Sequence, residues 1–254
     1  MVLSSFALFL SLLVLLYLLL RRESLNEGPY ILVALLLSMV ALLTAATKGL
    51  ASPTVFLALY LSLGIFIARS FLRRGGDSGA IGPYILWPIL LSLVLPALYI
   101  FSKGGLHKLG SGGLSTIHLW LVTAASCASA MACGAGVALA LQDYCLKAKK
   151  PLPQSLTVPS LATADSAVYQ LAGLTFALLT LSIIAASMTV SKAWGSWRWE
   201  PRTMGALLLW LLYGLGLHMR RIAGWRGQRF GLIVISGFLL ILLVFFLLHL
   251  GVVS

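Results

Sequence analysis

The chain has 254 residues, 60% of them hydrophobic and only 9% charged, with a mean hydropathy of +1.02. Soluble domains carry about a quarter charged residues, so there is too little polar surface here to cover a soluble core. The composition specifies an all-α, polytopic integral membrane protein. The formal charge of +12, from 18 Lys and Arg against 6 Asp and Glu, sits mainly in short segments between apolar runs, which fits a partner in membrane lipid and argues against nucleic acid.

A bilayer span takes roughly 17–25 mostly apolar residues, and backbone groups in lipid must pair internally, so such runs are helical. Eight are read, at residues 2–20, 30–47, 53–72, 82–101, 116–141, 167–190, 203–219 and 230–250. The first lacks a positively charged leader and is closed by Arg21-Arg22, which reads as a span rather than a cleavable signal. Spans one to three carry no ionisable residue at their centres and read as scaffold. In the fourth, Pro88 and Pro96 predict a kink. The Gly-rich segment 103–113, with His107, reads as a solvated loop.

The fifth span is made almost wholly of small side chains over residues 123–138. Small residues let helices approach closely in lipid, so this is the predicted most buried helix. His118 stands at its start. The longest loop, 142–166, follows; its basic, proline-broken stretch 147–153 reads as attraction to anionic headgroups. The segment 192–203 then crowds Trp194, Trp197 and Trp199 beside Glu200-Pro201. The seventh span carries Gly214, Gly216 and His218, close to Arg220 and Arg221, and the eighth ends near His249. Of the 18 basic residues, twelve lie in the odd-numbered loops. The positive-inside rule therefore puts both termini, and the tryptophan segment, on the outer face.

Cys127, Cys133 and Cys145 form no CxxC pair and no metal-ligand spacing; the first two read as small buried hydrophobes. No phosphate-binding glycine loop, dinucleotide turn, HExxH motif or activated nucleophile is present. These residues point to no enzymatic turnover.

The tryptophan cluster admits two readings. It is an interfacial aromatic belt, or a platform for a flat apolar ligand. In the topology above, His118 and His249 share the outer level with it, whereas His218 lies about 22 Å deeper at 1.5 Å per helical residue. Two axial ligands of one iron need nitrogens about 4 Å apart, so His118 and His218 cannot share an iron. Haem fits the outer set: an imidazole from His118 on iron, aromatic rings over the porphyrin, and Arg198, Arg202 or Lys192 on the propionates. His249 is the other histidine able to close the coordination. A histidine at a membrane interface can equally bond to headgroups, and His218 beside Arg220-Arg221 reads either as an inner anchor or as a second ligand position. Gly214 and Gly216 leave room for a close helix or a flat ligand.

These pieces resemble the haem-handling membrane proteins of cytochrome c maturation, the CcsA, CcmC and CcmF group, whose mark is an outer tryptophan-rich WWD segment. The matching residues are Trp194-Gly195, Trp197, Trp199-Glu200-Pro201, Leu217-His218-x-Arg220 and Gly224-Trp225-Arg226-Gly227, with His118 opening the helix two before that segment. The chain is most similar to the small CcsA-like branch that includes the YpjD inner-membrane proteins, through Gln142-Asp143-Tyr144 and residues 159–169, and the likeness covers roughly 115–250. Glu200 stands where the group has aspartate. The resemblance implies an eight-helix protein of the bacterial cytoplasmic membrane that presents haem to apocytochrome c alongside other maturation proteins. By carry-over, His118 is an outer axial ligand, Trp194, Trp197 and Trp199 are the haem platform, and His218 is the inner histidine.

Three functions are ranked on this basis: a haem-binding assembly factor, a haem-independent regulator or scaffold acting through the loop 142–166, and a small-molecule or haem exporter. Export ranks last because no pair of broken helices occupies corresponding halves.

Overall fold

The computed structural model describes residues 84–85, 87–89, 113–149, 159–194 and 201–249. The first three expected spans, His107 and Pro96 lie outside the described residues, as do Trp197, Arg198 and Trp199. Of the fourth span, residues 84–85 and 87–89 are described and helical, Pro88 among them. The described part is helical, with no strand among the described residues: α1 is Gly113–Lys147, α2 is Leu161–Trp194, α3 is Pro201–Ile222 and α4 is Gln228–His249.

Each helix begins and ends for a local reason. Lys149 closes α1 in the left-handed region at φ 50°, with Lys150-Pro151 following, a pair that cannot continue the helix. Ser160 caps α2, its hydroxyl accepting the Thr163 N–H at 3.3 Å. Pro201 opens α3, where its missing N–H costs nothing. Gly224, at φ 65°, and Gly227, at φ 63°, turn the chain from α3 into α4, conformations that side chains other than glycine's rarely adopt.

The helices overrun the expected spans at both ends. The loop read over 142–166 loses Gln142–Lys147 to α1 and residues 161–166 to α2. Residues 192–194 and 201–203, expected in the tryptophan loop, are helical as well. Hydropathy registers only the part of a helix that crosses hydrocarbon. At 35 and 34 residues, α1 and α2 each extend about 50 Å, well past a core about 30 Å thick.

The four helices form an antiparallel bundle. α1 packs against α2 and α4, and α3 packs against the same two from the opposite corner. Contacts at the ends fix the direction. His118 near the start of α1 meets Ser182 late in α2, Asp165 early in α2 meets Arg220 late in α3, and Lys147 at the end of α1 meets Gln228 at the start of α4.

α1 is the core, as its composition predicts. Residues 127–136 are buried without a break, so every face of that stretch is covered. Gly136 and Gly231 form the crossing of α1 with α4: a Cβ on Gly136 would stand 3.2 Å from the Gly231 carbonyl oxygen, and one on Gly231 3.4 Å from that of Gly136. On another side Gly134 admits the backbone of Tyr84 and Ile85 so closely that a Cβ there would overlap the Tyr84 carbonyl. Across the bundle's diagonal, Tyr213 of α3 reaches Ser129 of α1, their hydroxyls 2.7 Å apart and buried. The ring passes over Gly237 of α4, where a Cβ would lie 2.7 Å from it. Cys127 and Cys133 are buried within this core and form no disulfide.

Candidate functional site

His118 lies one turn and a half into α1 and is partly buried. Its Nδ1 stands 2.9 Å from the Ser182 carbonyl oxygen of α2. A carbonyl only accepts, so Nδ1 carries the proton and donates it. In the neutral ring, that proton placement leaves the lone pair on Nε2.

The α2 stretch that supplies this carbonyl is itself braced from α3. Trp210 donates its indole N–H to the Thr180 hydroxyl at 2.9 Å, and Thr180 in turn donates to the Phe176 carbonyl at 2.8 Å. Trp210 also stacks on Phe176, centroids 5.4 Å apart and planes 24° from parallel. Gly214 gives the Phe176 ring its room, with a built Cβ 3.0 Å from it. Gly216 likewise faces Ile233 at 2.9 Å. The space read beside these two glycines is therefore filled by neighbouring helices rather than left for a flat ligand.

The other histidines fall as follows. Taking the Asp165–Arg220 pair as a common level, the rise to Ser182 along α2, and hence to His118, is about 26 Å, whereas His218 is only about 3 Å up α3. The two are about 23 Å apart along the bundle, and no single iron joins them. His218 is exposed on α3, in register with Leu211, Leu215 and Ile222, which are also exposed; it faces away from the bundle interior. His249 ends α4, about 32 Å up from Gln228, and Arg202 begins α3, about 27 Å above Arg220. Both backbone positions are near the His118 level, while their side chains lie outside the described residues. Trp194, the last residue of α2, stands about 18 Å beyond Ser182 along that helix, and its side chain also lies outside the described residues. Among the described residues no three His, Cys, Asp or Glu side chains gather as a metal cluster.

The opposite end holds a charged cluster that the sequence reading did not assemble. Arg220 grips Asp165 with both guanidinium arms, at 2.8 and 2.6 Å, and the Gly227 N–H adds a third bond at 3.0 Å. The guanidinium carbon sits 4.7 Å from the Tyr169 ring centroid and 4.9 Å from that of Phe230. An arginine held close to two rings with its fork on a carboxylate makes a rigid joint. The Arg220–Asp165 pair thus ties α2, α3, the connecting turn and α4. The signal was available: Asp165 is a lone carboxylate in an apolar neighbourhood, and such a residue needs a named partner. Spacing alone did not say that the partner was Arg220, 55 positions away.

The family model described as "Cytochrome C assembly protein" matches residues 1–253. The chain is similar to the cytochrome c biogenesis protein CcsA of Trichormus variabilis, 40% identical over 90 residues, which are 35% of this chain and 25% of that protein. It is similar to CcsA of Synechocystis, 41% identical over 87 residues (34% and 25%), and of Synechococcus elongatus, 31% identical over 153 residues (58% and 46%). The matches span from about a quarter to about a half of those relatives. No solved structure matches. Stretches of α1 (Trp120–Lys147) and α2 (Leu161–Met188) are long and apolar enough to cross a bilayer, as a membrane protein of that kind requires. With its sequence matched almost end to end, the chain belongs to the cytochrome c assembly protein family.

Proposed function

We propose that this chain is a haem-binding assembly factor for c-type cytochromes, working at the outer face of a bacterial cytoplasmic membrane with both termini on that side. The observation that carries the reading is the His118–Ser182 hydrogen bond. Histidines that ligate metal characteristically donate their other ring N–H to a carbonyl or carboxylate, which sets the tautomer and aims the ring. His118 has that partner, and its Nε2 has no partner among the described residues.

In this reading His118 is the outer iron ligand and His249 the candidate for the opposite side. Trp194, Trp197 and Trp199 cover the porphyrin, and Arg198, Arg202 and Lys192 pair with its propionates. His218 belongs to a separate inner position. Bound haem supplies an iron centre and the vinyl groups that react with client thiols. The chain's own share is to hold the ring, shield it from lipid and orient it toward apocytochrome c and the other maturation proteins. The printed names of the relatives, cytochrome c biogenesis proteins, support that client class. The orientation rests on Lys147, Lys149, Arg220, Arg221, Arg226 and Arg229 gathering at the end away from His118, which the positive-inside rule assigns to the cytoplasm.

The test is an absorption spectrum. Protein purified in mild detergent from haem-replete cells is expected to show a Soret band that His118→Ala weakens strongly and His218→Ala leaves at the outer site. A colourless wild-type preparation ends this reading.

A further inference from the structure

We propose that the end of the bundle away from His118 carries a site for anionic phospholipid headgroups, built from Lys149, Arg221, Arg226 and Arg229. All four are exposed. The acids described nearby are already engaged, Asp143 by Lys147 and Asp165 by Arg220; Arg226 also feels the Asp165 charge, but none of the four forms an ion pair with a described acid.

The fold gathers them from three segments. Lys147 donates to Gln228 at 3.3 Å, which ties the end of α1, just before Lys149, to the start of α4, just before Arg229. The Gly227 N–H on Asp165 anchors the turn that carries Arg226, and Arg221 follows the anchored Arg220.

The surroundings favour lipid over a soluble anion. Tyr144 and Leu146 are 60% and 61% exposed in the last turns of α1, and Ile222 is 72% exposed directly after Arg221. Large apolar groups interleaved with cations match a bilayer surface, where acyl chains cover the former and phosphates meet the latter. A free phosphate answers only the charges. This inference does not depend on haem.

The experiment follows the melting of the purified full chain in neutral detergent while phosphatidylglycerol is titrated in, with phosphatidylcholine and inorganic phosphate as parallel arms. Phosphatidylglycerol is expected to raise the melting temperature, 1 M NaCl to cancel the rise by screening (Debye length about 3 Å), and the other two arms to have no such effect. With each cation contributing about fivefold near an anionic surface, K149Q/R221Q/R226Q/R229Q should raise the half-saturating lipid concentration at least about tenfold. R221K/R226K/R229K should keep the wild-type response. If the glutamine variant does not fold, K149Q/R229Q is read the same way, with at least about a threefold rise expected. An equal response to phosphatidylcholine, the full effect from inorganic phosphate, or an unchanged half-saturation in the glutamine variants overturns the proposal.

Discussion

Asp165→Asn tests whether the Arg220 joint holds the bundle's lower end together. Asparagine keeps the shape and one acceptor but loses the charge, and it turns an NH2 toward a guanidinium that has only donors. The side chains of Arg220 and Asp165 are 12% and 19% exposed, so the pair lies nearer the buried limit than the surface one. Removing one partner of a buried pair costs about 3–5 kcal/mol, against about 0–1 for a surface pair. The Tyr169 and Phe230 rings remain and keep about 0.5–1 kcal/mol each of cation–π attraction. The net cost is then about 1–4 kcal/mol. At about 2–4 °C per kcal/mol for a chain of this size, the melting temperature in detergent should fall by about 2–16 °C at a fixed scan rate. Arg220→Met strands the carboxylate instead and should cost a similar amount. The double variant D165N/R220M should cost clearly less than the sum of the two, because the stranded group is gone. A shift under about 1 °C for D165N, or costs that simply add, would refute the reasoning.

Tyr213→Phe should destabilise by about 1–2 kcal/mol, because it leaves the buried Ser129 hydroxyl without its partner; adding Ser129→Ala should recover part of that in the same melting assay. Gly237→Val should cost about 1–3 kcal/mol by pushing the Tyr213 ring off its path, and a loss no larger than that of an exposed α4 position would contradict the packing. Aqueous maleimide should label Cys145, which is partly exposed, and spare the buried Cys127 and Cys133 until the protein unfolds, a difference that mass spectrometry counts directly. His118→Ala should remove most of the Soret absorbance while His218→Ala leaves the outer-site band, since the two rings are about 23 Å apart along the bundle.

The identity of the core helix was legible before any coordinates. A stretch as small-sided as residues 123–138 is stable in lipid only when other helices lie against it, and burial over 127–136 follows. The separation of His118 from His218 was legible for a similar reason: helical rise is constant, so position in sequence converts to depth. Helix ends were less legible. A hydropathy run stops where the hydrocarbon stops, whereas the hydrogen-bonded ladder continues to a capping residue such as Ser160 or a left-handed one such as Lys149. Of the candidate site, the sequence named His118 but not the carbonyl that sets its tautomer, because backbone acceptors leave no mark in residue identity.

Composition and periodicity by themselves determined that the chain is helical and suited to a membrane, which of the described helices is innermost, and how far His118 lies from His218. Those properties depend on local repeat and on the solvent, and both can be read along one dimension. Only the tertiary structure decided that Asp165 belongs to Arg220, Tyr213 to Ser129, and His118 to Ser182. Each of those pairs joins different helices, and where the helices cross depends on packing between residues far apart in sequence.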